Sequence, residues 1–401
     1  MQQKFLKKLV IHCLCLLVFL GGSSTGYANE AEPTQPILAE NAKSAILLDT
    51  NTGRILFEKN SHTKLPPASI TKIMSILLIM EALEDGTISL TDKVTASERA
   101  SSMGGSQIFL ETNEQMTVKE LLTGIAVVSG NDATVAMAEH LAGTEAEFVK
   151  MMNQKAAKLG MKNTNFVNAH GLSDPNHYTT AYDISLMSRE LLYKYPQITE
   201  YTSIYSDYLR QDTKRPLWLV NTNRLVKFYN GADGLKTGYT SEAKYCLSAT
   251  AKKDNFRVLA VVMGEPTSQI RNQEVSEMFN YAFGQYKSEP VIKKGEIVDQ
   301  IFVDKGMTNR VNVVAEQDLL LLLKKNETSQ GYTKEIYLPE TVAAPLDQKH
   351  PIGYLTINDG QIELARVSLV PEQTVERANF INMGTRGFEY WFRLSHKVGL
   401  D

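Results

Sequence analysis

Apolar positions along this chain recur first at mixed strand and helix spacings, then at strand spacing alone, and the change divides the sequence. Ala45-Ile-Leu-Leu-Asp49 and Arg54-Ile-Leu-Phe57 flank Asn51-Thr-Gly53, which predicts two short strands around a turn. From Thr71 to Leu83, Ile73, Met74, Ile76, Leu77, Met80 and Leu83 recur at helical spacing. Val118–Val128 and Ala133–Leu141 read as further helices. Between Asp233 and Glu265 the rhythm turns to strands, with Leu247–Ala251 and Val258–Met263 separated by the hairpin signal Lys252-Lys-Asp-Asn255. Glu274–Phe283 then reads as a closing helix. Strands from both ends of this region, with helices between, predict an α+β fold with helices packed on a sheet.

From about Pro290 the helical spacing stops. Ile297–Val303, Val311–Val314, Glu335–Leu338, Gly353–Ile357 and Glu363–Val370 are short strand candidates, and Asn358-Asp-Gly360 is a hairpin turn. Residues 290–372 are therefore expected to form a small all-β domain behind the first.

The two ends carry different patterns. Lys4, Lys7 and Lys8 precede an apolar run from Leu9 to Leu20, followed by small residues and Gly26-Tyr27-Ala28. That is the layout of a secretory signal peptide over residues 1–28, too short in its apolar part to span a bilayer of ~20 residues. Its removal takes three lysines and no acids, moving the formal charge from −3 to −6. Such a chain has no basic excess for nucleic acid. Cys13 and Cys15 leave with the signal, so Cys246 remains without a disulfide partner and reads as a buried, inert thiol. At the far end, over 376–401, Phe380, Ile381, Met383, Phe388, Tyr390 and Trp391 mix with Arg386, Arg393 and Lys397, a composition suited to an interfacial amphipathic helix.

The chemistry begins with an ambiguous motif. S-x-x-K occurs at Ser61-His-Thr-Lys64, Ser69-Ile-Thr-Lys72 and Ser241-Glu-Ala-Lys244. Ser61 lies just upstream of Pro66-Pro67 and Ser241 falls in a turn, whereas Ser69 heads the apolar helix. Spacing of three makes Ser69 and Lys72 neighbours on one face, near the positive end of the helix dipole. A neutral Lys72 there could take the serine proton. Ser129-Gly-Asn131 follows the second helix, and Lys236-Thr237-Gly238 sits just ahead of the strand stretch. Each alone would pass for a cap, a turn or a hairpin corner. Together, in this order, they are the three-motif set of penicillin-binding proteins and class A β-lactamases.

The surrounding residues sharpen the match. With Pro67-Ala-Ser-Ile-Thr-Lys72, Met103-Gly-Gly-Ser-Gln107, Ser129-Gly-Asn-Asp-Ala133, His170-Gly-Leu172 and Gly234-Leu-Lys-Thr-Gly-Tyr-Thr240, the chain resembles a low-molecular-mass penicillin-binding protein, a serine D-alanyl-D-alanine carboxypeptidase of peptidase family S11. The resemblance covers about residues 38–285 and implies a β-lactamase/transpeptidase-like catalytic domain over 29–285. It implies that Ser69 attacks the bond between the terminal D-alanines of peptidoglycan stem pentapeptides, with Lys72 as base. Ser129, with Lys236, returns the proton to the leaving amine, and the N–H groups of Ser69 and Tyr239 form the oxyanion hole. Asn131, Lys236, Thr237, Gly238, Tyr239 and Arg271 would bind substrate, with Arg224 a second candidate for the carboxylate. Some relatives have His where this chain has Tyr239.

The resemblance also implies β-lactam inhibition and a place on the outer face of the cytoplasmic membrane. No cofactor or metal is expected, since His170 and His177 lack a recognisable ligand set. A D,D-endopeptidase remains an alternative, as do a β-lactamase and a catalytically dead scaffold. No E-x-x-x-N deacylation motif follows the second motif, which argues against the β-lactamase.

Overall fold

In a computed structural model that describes residues 36–378, five antiparallel strands form the central sheet. They are β1 (Ser44–Asp49), β2 (Ile55–Lys59), β3 (Ala232–Thr240), β4 (Lys244–Lys253) and β5 (Phe256–Glu265), in the order β2-β1-β5-β4-β3. Strand β1 pairs with β5 through Ser44↔Met263 to Asp49↔Val258, so the two ends of the domain meet in the middle of the sheet. The expected signal peptide (1–28) and nearly all of the expected tail (376–401) lie outside the described residues.

Both faces of the sheet are covered, and the alternation of side chains shows how. Ile46, Leu48, Leu259, Val261 and Met263 face one core, shared with α1 (Lys72–Glu84), α2 (Val118–Val128), α3 (Asn131–Ala142), α4 (Glu145–Lys158) and α5 (Ala181–Lys194). Ala45, Leu47, Ala249, Val258, Ala260 and Val262 face a second core, closed by Val275, Met278 and Phe279 of α6 (Ser268–Gln285). The α+β fold expected from the sequence is present as a three-layer arrangement. Helices α4 and α5 are absent from the expectation: α4 buries only Phe148, Met152 and Ala156, and α5 buries the polar Asp183, Ser185 and Ser188 among its apolar residues, which weakens the periodic signal of each.

Two expected features change. Lys236-Thr237-Gly238 does not precede a strand; it lies inside β3, at the open edge of the sheet. Glycines at 234 and 238 thin the strand's apolar pattern, which hides it from a search for alternation. Helix α6 starts at Ser268, well before Glu274, because Thr267 caps it by accepting the Ile270 N–H at 3.1 Å.

The β domain also begins earlier than Pro290. Strand β6 (Tyr286–Ile292) follows α6 without a break and pairs with β7 (Leu319–Lys324) through registers that include Pro290↔Leu320. Because β6 pairs on one side only, Pro290 can turn its missing donor to the open side. The run Leu319–Leu323 is buried along its whole length and shows no alternation, so it carries no period-two strand signal. Six further strands complete the domain as a second sheet. The chain stays tied to it past residue 372, through Leu346↔Val375 and the Ala378 N–H to Lys305 O at 2.8 Å.

Candidate active site

Ser69 sits in a 3-10 turn, Ala68–Thr71, that runs straight into α1. The turn is held in an unusual shape. Ala68 has φ +49°, a left-handed conformation for a residue with a side chain. Its carbonyl accepts from Thr71 Oγ1 at 2.8 Å, and Thr71 Oγ1 lies 2.7 Å from His177 Nε2. The Val167 N–H donates to His177 Nδ1 at 3.1 Å, so the proton of a neutral ring sits on Nε2 and points at Thr71. Burial, then the neighbouring His170, keeps His177 neutral by lowering its pKa to about 4. Gly171, with φ +88°, lies over the same turn: a Cβ there would stand 1.9 Å from Ala68 O.

Lys72 is fully buried and its Nζ lies 3.0 Å from Ser69 Oγ, 2.6 Å from Asn131 Oδ1 and 2.7 Å from His170 O. The last two atoms are acceptors only. A neutral amine has two N–H bonds, and giving one to each leaves its lone pair facing the serine hydroxyl. Burial, followed by the charge of Lys236, pushes the Lys72 pKa well below that of an ordinary lysine. The arrangement is that of a base poised on a nucleophile.

Asn131, at the start of α3, donates from Nδ2 to Gly104 O at 2.6 Å, using one of the amide's two N–H bonds. Gly105 makes room for it, since a Cβ there would stand 2.7 Å from Asn131 Nδ2. The loop bearing Gly104 and Ser106 is fixed by Asp132, whose carboxylate accepts from the N–H groups of Ile108 and Leu110 at 3.0–3.1 Å. Ser129 caps α2 with φ +68°, again left-handed. Among the described residues its buried Oγ has no hydrogen-bond partner, and it lines the cleft beside Ser69. A strained backbone bearing an unsatisfied buried hydroxyl is a mark of a working position.

The edge strand supplies the opposite wall. Gly238 lies so close to the nucleophile's turn that a Cβ would meet Pro67 O at 2.8 Å and Ser69 N at 3.1 Å. Thr237 Oγ1 donates to Thr222 Oγ1 at 2.7 Å. Lys236 is buried, and burial together with the charge of Arg271 lowers its pKa to about 7. Arg271 is also buried, its guanidinium held by Asn272 Oδ1 at 2.9 Å, while Tyr239 is exposed and its ring packs at a tilt against Tyr245, centroids 4.5 Å apart.

Ser69, Ser129, Thr237, Gly238, Tyr239 and Arg271 thus line one cleft of about 470 Å³, and the exposed Arg224 stands at its wall. Lys72, Asn131 and Lys236 are buried alongside. The decoy serines are elsewhere: Ser61 donates to Glu58 Oε2 at 2.5 Å, and Ser241 falls in the turn between β3 and β4. Several contributors escaped the sequence. The His170 and Gly104 carbonyls and the hydroxyls of Ser106 and Thr222 carry no motif of their own. Met103–Gln107 and His170–Leu172, two of the stretches that carry the resemblance, contain Ser106, Gly104 and His170.

Comparison with known proteins gives the family. A family model described as D-alanyl-D-alanine carboxypeptidase matches residues 29–267, and one described as penicillin-binding protein 5, C-terminal domain, matches 286–377. The chain belongs to the D-alanyl-D-alanine carboxypeptidase family S11. It is 46% identical over 387 residues to D-alanyl-D-alanine carboxypeptidase DacF of Bacillus subtilis, covering 96% of this chain and 99% of the relative. It is 36% identical to D-alanyl-D-alanine carboxypeptidase DacA of Haemophilus influenzae, over 78% of this chain and 79% of that one.

Among solved structures, penicillin-binding protein 5 from H. influenzae superposes with a TM-score of 0.67 at 32% identity, covering 86% of this chain and 99% of its own. Penicillin-binding protein D2 from Listeria monocytogenes, in its ampicillin-bound form, gives 0.56 at 30% identity, over 62% of this chain and all of the other. The family expected from the motifs, its fold and its enzyme class agree with these findings.

Proposed function

We propose that this enzyme removes the terminal D-alanine from peptidoglycan stem pentapeptides through an acyl-enzyme on Ser69. The observation that carries the reading is the Lys72 amine, buried and shared among Ser69 Oγ, Asn131 Oδ1 and His170 O. Lys72 takes the Ser69 proton as Oγ attacks the carbonyl of the penultimate D-alanine. The N–H groups of Ser69 and Tyr239 hold the resulting oxyanion. Ser129, its hydroxyl otherwise unpartnered, passes a proton to the leaving amine, with Lys236 beside it. The substrate's carboxylate lies against Thr237 and Arg271, where two buried cations favour an anion. Asn131 donates its second N–H to the peptide backbone, and water then releases the acyl group.

β-Lactams acylate Ser69 because they present a similar amide and carboxylate. The signal-like N-terminus and interfacial C-terminal composition support export and attachment to the outer face of the membrane. No described helix is long and apolar enough to cross a membrane. Mass spectrometry of penicillin-treated protein tests the scheme, with adduct expected on the peptide bearing Ser69. In parallel, Ser69→Ala is expected to abolish both labelling and D-alanine release. D-alanine release surviving in that variant would overturn the mechanism, and an adduct lost as fast as it forms would identify a β-lactamase instead.

A further inference from the structure

The His170 carbonyl that accepts from Lys72 lies in the loop between α4 and α5, so no helix or sheet ladder fixes it. Side chains brace it instead. Asn168 Oδ1 accepts from the His170 N–H at 3.3 Å and from the Gly171 N–H at 2.6 Å. Ser75 Oγ, on α1, donates to Ala169 O at 2.6 Å. Glu145, the first residue of α4, reaches in from farther away. Its Oε1 accepts from the Ala169 N–H at 3.2 Å and lies 3.2 Å from His170 Nε2.

The His170 ring is committed on both sides. The Leu172 N–H donates to Nδ1 at 3.2 Å, so the proton of the neutral ring sits on Nε2 and faces the Glu145 carboxylate. The ring is buried, and burial lowers its pKa, which favours that neutral form. With both nitrogens taken, it has no lone pair to offer a reacting group. It serves as a strut.

Glu145 is not among the residues that line the cleft. It is half-buried, and its Oε2 lies 3.1 Å from Nη2 of the exposed Arg99. Its connection to the chemistry has two steps, from carboxylate to the His170 segment and from the His170 carbonyl to the Lys72 amine. That second step matters because Lys72 turns its lone pair on Ser69 only while Asn131 Oδ1 and His170 O take its two N–H bonds. The same loop carries Gly171, which lies over the Ala68 carbonyl in the nucleophile's turn. Base and nucleophile thus lean on one braced segment.

Resting on Lys72 as the base in the proposed function, we propose that Glu145 is a positioning residue for that base. Its carboxylate oxygen sets the His170 tautomer and clamps residues 168–172, so that the His170 carbonyl receives the Lys72 amine. The side chains given to substrate, Asn131, Thr237 and Arg271, stand on α3, β3 and α6. The effect of Glu145 therefore belongs to the acylation rate constant and not to binding.

Rapid labelling of the full-length protein over a range of fluorescent penicillin concentrations separates that rate constant from the dissociation constant of the initial complex. Glu145→Ala is expected to lower the rate constant about ten- to a hundredfold and to leave the dissociation constant within about twofold. Glu145→Gln keeps a carbonyl oxygen for the Ala169 N–H and the His170 Nε2–H. It is expected to stay within about threefold of the wild type, although it gives up the ion pair with Arg99. Glu145→Asp, a methylene short of both donors, should fall between the two, and it decides the matter if the alanine variant does not fold. Thermal unfolding of each variant is followed alongside. A lowered Tm with an unchanged rate constant in Glu145→Ala and Glu145→Asp would mark a brace without a catalytic task and overturn the proposal. So would a glutamine variant as slow as the alanine variant, or a loss confined to the dissociation constant. A wild type that takes no label, or a Lys72→Ala variant labelled as fast as the wild type, would instead overturn the proposed function beneath it.

Discussion

At the scale of single residues, two buried lysines have been given opposite tasks by their surroundings. Lys72 has two carbonyl-type acceptors and a serine around it, so its neutral form is useful as a base. In the proposed scheme Lys236 serves the carboxylate-binding end with Arg271, and its usefulness there is as a cation. Since burial and Arg271 bring the Lys236 pKa to about 7, its charge is lost as pH rises through neutrality. Acylation by a carboxylate-bearing penicillin is therefore expected to fall on the alkaline side of pH 7. Lys236→Arg, which stays charged throughout, should move that limb upward by more than a pH unit even if its peak rate is lower. Arg271→Ala is expected to raise KM for pentapeptide roughly ten- to a hundredfold, with a smaller change in kcat, as befits a charged hydrogen bond to substrate. Of this scale the sequence disclosed what a side chain can do at a fixed spacing: Ser69, Lys72, Ser129 and Asn131 announce themselves. It could not disclose the His170 carbonyl, because a backbone oxygen has the same chemistry at every position and only the fold selects one.

At the scale of elements, the nucleophile's turn is shaped by what presses on it. Gly238 on the edge strand and Gly171 in the 165–177 loop approach it from two directions, each at a distance no Cβ tolerates. Gly238→Ala is expected to slow acylation at least tenfold with little loss of Tm, since the displaced group is the Ser69 turn itself. His177 braces the same turn through Thr71. Its pKa of about 4 lies below the ordinary 6.5, so the unfolded chain binds the proton more readily across that window. Its contribution to stability is full above pH 6.5 and is lost as pH falls toward 4. His177→Leu should remove that slope from the Tm–pH curve and slow acylation. His177→Gln, which can still accept from Val167 and donate to Thr71, should recover acylation but not the slope. The sequence made α1, α2 and α3 legible because their apolar residues keep helical spacing. It hid β3 and β7, one interrupted by glycine and the other apolar at every position, because both depart from alternation.

At the scale of the whole molecule, the β domain is joined to the catalytic domain by more than a linker. Leu322 of β7 belongs to the core closed by α6, and the Lys325 N–H donates to Gln285 O at 2.9 Å. Leu322→Ala is expected to cost about 2–4 kcal/mol in denaturant unfolding while leaving the penicillin acylation rate unchanged. The ion pair Lys194–Glu316, at 3.5 Å on the surface, adds little to that joint.

The sheet order has one more consequence. Strand β1 lies between β2 and β5, and Gly238 meets the Ser69 turn only when β3 has joined the sheet through β4. A chain threading outward from its N-terminus thus presents Ser69 and Lys72 long before residues 256–265 arrive to close the fold. Those pairings span more than two hundred positions in sequence, a separation that slows folding. A half-emerged chain, lacking β3 and β5, therefore has no cleft.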